Sequence, residues 1–277
     1  MDLQRLAAFT HGDTGGNPAG VFIGPALPDD ATMQRIAAEV GYSETAFAMP
    51  QGDAWRVRYF SPEAEVPFCG HATIALGAAL AMRHGNATYP LTLDRASIAV
   101  EGRDDGSGLS AALWSPPTRS LEAAATRVDE ALDLFGLSHD DLDARVPPAT
   151  IHAGADHLVL MLRDRATLAT MRYDLDRGRR LMRREGWVTV LLGHAHSAQC
   201  FSTRNAFAYG GVYEDPATGA ATAALAGYLR DLDWPHGGAI DVCQGDDMGK
   251  PSRLHADIGP GAGSAIRVGG TVRTIDA

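Results

Sequence analysis

Apolar and polar positions alternate over short stretches of this chain, with a few longer runs at helical spacing between them. Residues 3–9 and 19–23 read as strands on either side of the glycine-rich turn His11-Gly12-Asp13-Thr14-Gly15-Gly16-Asn17-Pro18. Met33, Ile36, Ala37 and Val40 recur on one helical face behind Asp29 or Asp30, which predicts a capped helix. Residues 55–60 alternate as a strand, and 91–93, 97–100 and 109–113 predict short strands at hairpin spacing. The segment 120–149, rich in Asp, Pro and Ala, is expected to hold a domain boundary and a helix near 129–135. Beyond it the pattern predicts strands at 158–162, 188–192 and 199–202, a helix at 175–184, and closing strands at 239–243, 253–258, 266–268 and 271–275. Short strands with few helices indicate an α+β fold, not a doubly wound α/β sheet.

Two segments break the alternation. Cys69-Gly70-His71-Ala72-Thr73-Ile74-Ala75-Leu76-Gly77-Ala78-Ala79-Leu80 predicts a helix with small and apolar residues all round, and so does Thr218-Gly219-Ala220-Ala221-Thr222-Ala223-Ala224-Leu225-Ala226-Gly227-Tyr228-Leu229. A helix with no polar face has to be buried on every side. The two lie about half a chain apart, so two pseudo-symmetric halves are expected, each a barrel-like, mostly antiparallel sheet around one central helix. The expected division is residues 1–118, carrying Glu44 and His71, and residues 119–277, carrying Asp215, with a return of the last strand to the first half left open.

Composition narrows the function classes. The 277 residues are 45 % hydrophobic and 21 % charged, which suits a sizeable core. The net charge of −10 argues against a nucleic-acid partner. The arginines at 177, 179, 180, 183 and 184 read as the solvated face of a helix rather than an anion patch. No apolar run reaches the roughly 18 residues of a membrane span, and the N-terminus lacks a signal-peptide pattern, so no membrane partner and a cytoplasmic location are expected. Three cysteines without a CxxC spacing suggest neither a disulfide framework nor a zinc site. His194 and His196 share one side of a strand but have no third ligand at recognisable spacing, and Gly259-Pro260-Gly261-Ala262-Gly263 lacks the helix and acidic residue of a dinucleotide site.

The chemistry-bearing residues gather at the starts of the two buried helices. A helix N-terminus carries unpaired N–H groups and partial positive charge, and glycine there lets a ligand approach the backbone. Gly70 and Gly219, with Thr218 and Ala220 beside them, would suit a carboxylate substrate if the two ends faced each other across a cleft. Glu44, in Gly41-Tyr42-Ser43-Glu44-Thr45-Ala46-Phe47, stands next to an apolar run. Desolvation favours the protonated form of a carboxylate, so such a group can both take and return a proton. Taken singly, Glu44 reads more readily as a surface glutamate, Asp215 as an N-cap and His71 as a core histidine.

The ordered series Gly-Asn-Pro (16–18), Ser-Glu-Thr-Ala-Phe (43–47), Phe-Ser-Pro (60–62), Glu-Val-Pro-Phe-Cys-Gly-His-Ala-Thr (65–73), Glu-Asp-Pro-Ala-Thr-Gly (214–219), Gln-Gly (244–245) and Met-Gly-Lys-Pro-Ser (248–252) resembles the PhzF family of phenazine-biosynthesis-like isomerases. The resemblance implies the diaminopimelate-epimerase-like fold and a cofactor-independent isomerase that moves a proton between carbons of a small cyclic or unsaturated carboxylic acid, as in trans-2,3-dihydro-3-hydroxyanthranilate isomerisation, in secondary metabolism. It further implies Glu44 as acid/base, His71 and Asp215 as groups assisting proton transfer, Gly70, Gly219 and Asn17 as substrate-lining positions, no cofactor or metal, and a homodimer. Two departures stand out: Ala220 replaces the usual serine, and Lys250 the common arginine. The family's relatives among epimerases use two facing thiols; here Thr218 stands opposite Cys69 in the repeat, so carboxylate-mediated transfer is expected and Cys69 reads as a buried, inert side chain. A C–C bond hydrolase or hydratase on the same scaffold, and a non-catalytic small-acid binding protein, are the alternatives.

Overall fold

The computed structural model describes residues 3–94 and 96–276. The chain forms two compact units, Met1–Trp114 with Gly269–Ala277, and Ser115–Val268.

The first unit begins with strands β1 (Leu3–Ala8) and β2 (Asn17–Ile23), paired antiparallel. Helix α1 (Asp30–Val40) starts where the Asp29 carboxylate accepts the Thr32 amide at 2.8 Å, and stops at Gly41, whose φ of 70° ends the helix. Its Met33 and Ile36 pack on Phe22, Phe47 and Phe60. Strand β3 (Thr45–Gln51) then runs parallel to β2, β4 (Ala54–Phe60) returns antiparallel, and the two-residue β5 (Glu65–Val66) closes on the end of β4. After helix α2 (Gly70–His84), β6 (Ala87–Thr92) lies parallel to β4, and β7 (Ser97–Asp104) and β8 (Leu109–Trp114) follow as a meander. The C-terminal strand Arg267–Thr274 pairs with both β8 and β1. The ring β1-β2-β3-β4-β6-β7-β8 and the C-terminal strand is therefore a closed barrel.

Helix α2 runs against β1, β2, β3, β6, β7 and β8, with every residue from His71 to Ala81 buried. Its small side chains are what let it fit. A Cβ on Gly102 of β7 would stand 2.0 Å from the carbonyl oxygen of Gly77, and one on Gly77 would meet Val100 at 2.5 Å. Two glycines thus set the approach of helix to barrel wall.

The second unit repeats this order of elements. Strands β9 (Arg119–Glu122) and β10 (Ala149–His152) flank helix α3 (Ala125–Phe135), and β11 (Asp156–Met161) pairs antiparallel with β10. Helices α4 (Arg165–Ala169) and α5 (Leu175–Glu185) lead to β12 (Thr189–Ala195), parallel to β11. Strand β13 (Cys200–Ala206) is antiparallel to β12, and the two-residue β14 (Glu214–Asp215) closes on its end. Helix α6 (Gly219–Asp231) is the counterpart of α2, followed by β15 (Ala239–Gln244), parallel to β13, and β16 (Ser252–Asp257). Both units therefore share the sequence parallel, antiparallel, parallel, antiparallel, with a short strand just ahead of a buried helix. The α+β fold of two similar halves follows from this. On α5, Arg177 pairs with Asp133, Arg179 with Asp176, and Arg184 with Glu130 and Glu185.

The strands expected at 266–268 and 271–275 are one continuous strand. Gly269 reads as a break in the sequence, but a Cβ there would stand 2.8 Å from the Ala111 carbonyl oxygen, so the glycine permits close strand contact instead. No helix among the described residues is long and apolar enough to cross a membrane.

Candidate active site

The first cluster is built at the N-terminus of α2. Gly41 turns the chain out of α1, and Tyr42 and Ser43 carry it to Glu44 at the edge of β3. The Glu44 carbonyl accepts the Gly20 amide at 3.2 Å, which fixes this residue to β2. Its side chain is 17 % exposed and that of His71 8 %. His71 Nε2 lies 3.4 Å from Glu44 Oε2 and 3.3 Å from Ser43 Oγ, while its Nδ1 lies 3.3 Å from Cys69 Sγ. One imidazole thus touches a carboxylate, a hydroxyl and a thiol.

The helix start is pinned from below. Thr73 Oγ1 donates to the Cys69 carbonyl at 2.7 Å and shares a 2.7 Å hydrogen bond with Tyr59 Oη. Burial pushes the Tyr59 phenol well above its ordinary range, so it stays protonated. Phe68, 38 % exposed, packs edge-on to Tyr59. Above the helix start, a Cβ on Gly70 would meet nothing within 4 Å, so the backbone there faces open space. Asn17 is buried at the head of β2, opposite Ala8.

The second cluster lies at the corresponding place in the other unit. Thr218 Oγ1 donates to Asp215 Oδ2 at 2.6 Å. Gln244, fully buried, donates from Nε2 to the Asp215 carbonyl at 2.7 Å and to Thr218 Oγ1 at 3.0 Å, and its Oε1 accepts the Thr218 amide at 3.2 Å. Thr218, not Asp215, occupies the N-cap position of α6, and Gly219 and Ala220 form its half-buried first turn. Asp215 is therefore not the N-cap residue; its carboxylate accepts a hydrogen bond from the threonine hydroxyl. Next to it, Glu214 forms a buried double hydrogen bond with Arg204 at 2.9 and 2.5 Å. Gly245 has φ +78°, and a Cβ there would stand 2.1 Å from the Lys250 carbonyl oxygen, which explains a glycine directly after Gln244.

Glu44 and His71 thus come together, as do Asp215, Thr218 and Gln244, each group inside its own unit. Two contacts were not foreseen from sequence: Cys69 and Ser43 on His71, and Gln244 as the hub beside Asp215. The Gln-Gly pair carried a motif but no role. His194 and His196 stack edge to face and are engaged by Leu162 O and Ser202 Oγ; burial, with His194 and Arg165 nearby, lowers the pKa of His196.

Residues 6–275 match the family model of phenazine biosynthesis-like proteins, PhzC-PhzF. The chain belongs to this family. It is 32 % identical over 265 residues to the trans-2,3-dihydro-3-hydroxyanthranilate isomerase of Pseudomonas chlororaphis, covering 91 % of this chain and 88 % of that protein. It is also 32 % identical over 266 residues to an uncharacterized isomerase of Deinococcus radiodurans, covering 92 % and 85 %. Among solved structures, a predicted epimerase from Pseudomonas aeruginosa superposes with a TM-score of 0.85 at 28 % identity, over 99 % of this chain and 96 % of that one. A PhzF-family phenazine biosynthesis protein of Bacillus anthracis gives the same score at 21 % identity, over 100 % and 98 %. The chain is thus a PhzF-family isomerase.

Proposed function

We propose that this isomerase moves a proton between two carbons of a small cyclic, unsaturated carboxylic acid of the dihydro-hydroxyanthranilate type, in secondary metabolism, with Glu44 as the acid/base. The observation that carries the reading is the Glu44–His71 contact at the start of α2, beside the open backbone of Gly70. Glu44 as carboxylate removes a proton from one carbon of the substrate. The electron pair left behind delocalises through the neighbouring unsaturation, and the protonated Glu44 then returns the proton to a second carbon. No electron leaves the substrate and its mass is unchanged, so the step needs no external oxidant or reductant. His71, donating from Nε2, steadies the carboxylate during the transfer, and the first N–H groups of α2 favour the negative charge that develops. In the second unit Asp215, bonded by the Thr218 hydroxyl, is the other candidate for assisting proton transfer.

The test is turnover of trans-2,3-dihydro-3-hydroxyanthranilate in deuterated water by the wild type and by Glu44→Gln, followed by NMR. Wild type places deuterium at the protonated carbon. The variant, with the same circular dichroism, loses about 10²–10⁴-fold in rate. Wild-type turnover and exchange by Glu44→Gln would remove Glu44 from the mechanism.

A further inference from the structure

The contacts of His71 leave one cluster whose composition acid/base chemistry does not use in full. Cys69 has no role in carboxylate-mediated transfer, yet its sulfur stands against the imidazole. Sγ of Cys69, a carboxylate oxygen of Glu44 and a ring nitrogen of His71 all lie within 4.8 Å of one another. The distances through Nε2 are 3.4 Å to Glu44 Oε2 and 3.9 Å to Cys69 Sγ. A tetrahedral ion with bonds of about 2.3 Å to sulfur and about 2.0–2.1 Å to nitrogen and oxygen separates its ligands by roughly 3.3–3.6 Å. Both separations from Nε2 lie within a few tenths of an ångström of these values, and the sulfur and the carboxylate oxygen lie within 4.8 Å of each other. They are also held in place: Cys69 at the N-cap of α2, His71 within its first turn, and Glu44 by the Gly20–Glu44 backbone bond.

We propose that Glu44, Cys69 and His71 form a binding site for a thiophilic divalent ion of the Zn²⁺ type. The donor set is one thiolate, one imidazole and one carboxylate. The sulfur selects zinc-like ions over magnesium or calcium, whose preferred ligands are oxygens. Three protein ligands leave the fourth position for water or a substrate oxygen. Because the ligating forms are thiolate and neutral imidazole, binding releases protons and strengthens as pH rises. Ion binding itself is independent of the proposed isomerisation. Its consequence rests on that reading: an ion held by Glu44 occupies the lone pair that would accept the substrate proton, so it inhibits.

The experiment is a Co²⁺ titration of the reduced full chain, followed by the near-ultraviolet thiolate-to-cobalt band, with Zn²⁺ as competitor. Wild type is expected to develop the band at one equivalent, to lose it on addition of Zn²⁺ or chelator, and to lose turnover in step with Zn²⁺ occupancy. Cys69→Ser abolishes the band, whereas the double variant Cys200→Ser/Cys243→Ser keeps it, which separates a lost ligand from general thiol binding. Glu44→Gln keeps the band but weakens apparent affinity by at least about 10-fold, since even outer-shell partners of a metal are worth about 10–100-fold. Absence of the band in wild type, or its persistence in Cys69→Ser, overturns the site. A normal band with turnover untouched at full occupancy leaves the site standing and overturns the role of Glu44.

Discussion

His71 Nε2 and Glu44 Oε2 lie 3.4 Å apart, one carried by the first turn of a buried helix and the other by the lead-in to a strand. At that distance the two groups are in contact without forming a hydrogen bond, an arrangement that substrate binding can tighten into one. The pair makes the behaviour of His71 variants informative.

His71→Asn should lower kcat more than it raises KM. A hydrogen bond to a charged group is worth about 1.5–3 kcal/mol, which corresponds to a rate loss of roughly 10–100-fold. Steady-state kinetics of the variant check this; a pure KM effect would place His71 in ground-state binding instead.

Gly102→Ala should destabilise the first unit. The new Cβ would overlap the Gly77 carbonyl, which is backbone and cannot rotate away. Overpacking of this kind costs about 1–3 kcal/mol or more, measurable as a lower urea midpoint. Gly52→Ala, at a turn where a Cβ meets nothing within 4 Å, is the comparison for surface glycines; its φ of +61° confines its cost to local backbone strain.

The buried pair beside Asp215 makes a second stability prediction. Glu214→Gln leaves the Arg204 guanidinium, 8 % exposed, without its countercharge. Removing one member of a buried pair costs about 3–5 kcal/mol. Glu214→Gln combined with Arg204→Met should recover part of this loss in equilibrium unfolding.

His157 provides a pH prediction. It is fully buried, and its Nδ1 lies 2.8 Å from Thr189 Oγ1, which in turn donates to Asn205 Oδ1. Thr189 therefore accepts from Nδ1–H, and among the described residues Nε2 has no hydrogen-bond partner that would stabilise a second proton on it. Burial pushes its pKa down to about 4, only partly opposed by Asp156 and reinforced by His152. The unfolded chain then binds a proton more readily than the folded one between about pH 6.5 and 4. Stability is full above that window and falls as pH drops through it, by about 1.4 kcal/mol per unit within the window. His157→Gln should flatten this part of the profile of unfolding free energy against pH.

The repeat was legible because a helix with no polar face has only one place to go, so α2 and α6 announced two similar halves. The Glu44 segment was legible because Gly41 ends α1 and the apolar run Ala46-Phe47 starts a strand. The thiol contact was not. Side chains two apart on a helix do not face each other, so spacing alone separates Cys69 from His71. Cys69, however, sits at the N-cap with extended backbone (φ −143°, ψ 117°), outside helical geometry, and its sulfur swings onto the ring. Gln244 was unreadable for a related reason: its partners come from β14 and the start of α6, and no local pattern marks a hub made from three elements. The last strand was expected as two pieces, 266–268 and 271–275, because a glycine such as Gly269 is compatible with both a break and a close approach, and only the neighbouring strand β8 decides between them.

The C-terminal strand closes the first barrel by bridging β8 and β1, although the whole of the second unit lies between β8 and that strand in the chain. On a ribosome, the second unit is finished before the first. The sheet around α2 stays open between β1 and β8 until the C-terminal strand is made and joins them. Loss of that strand would therefore be felt first along the exposed edges of β1 and β8, in the part of the molecule made earliest.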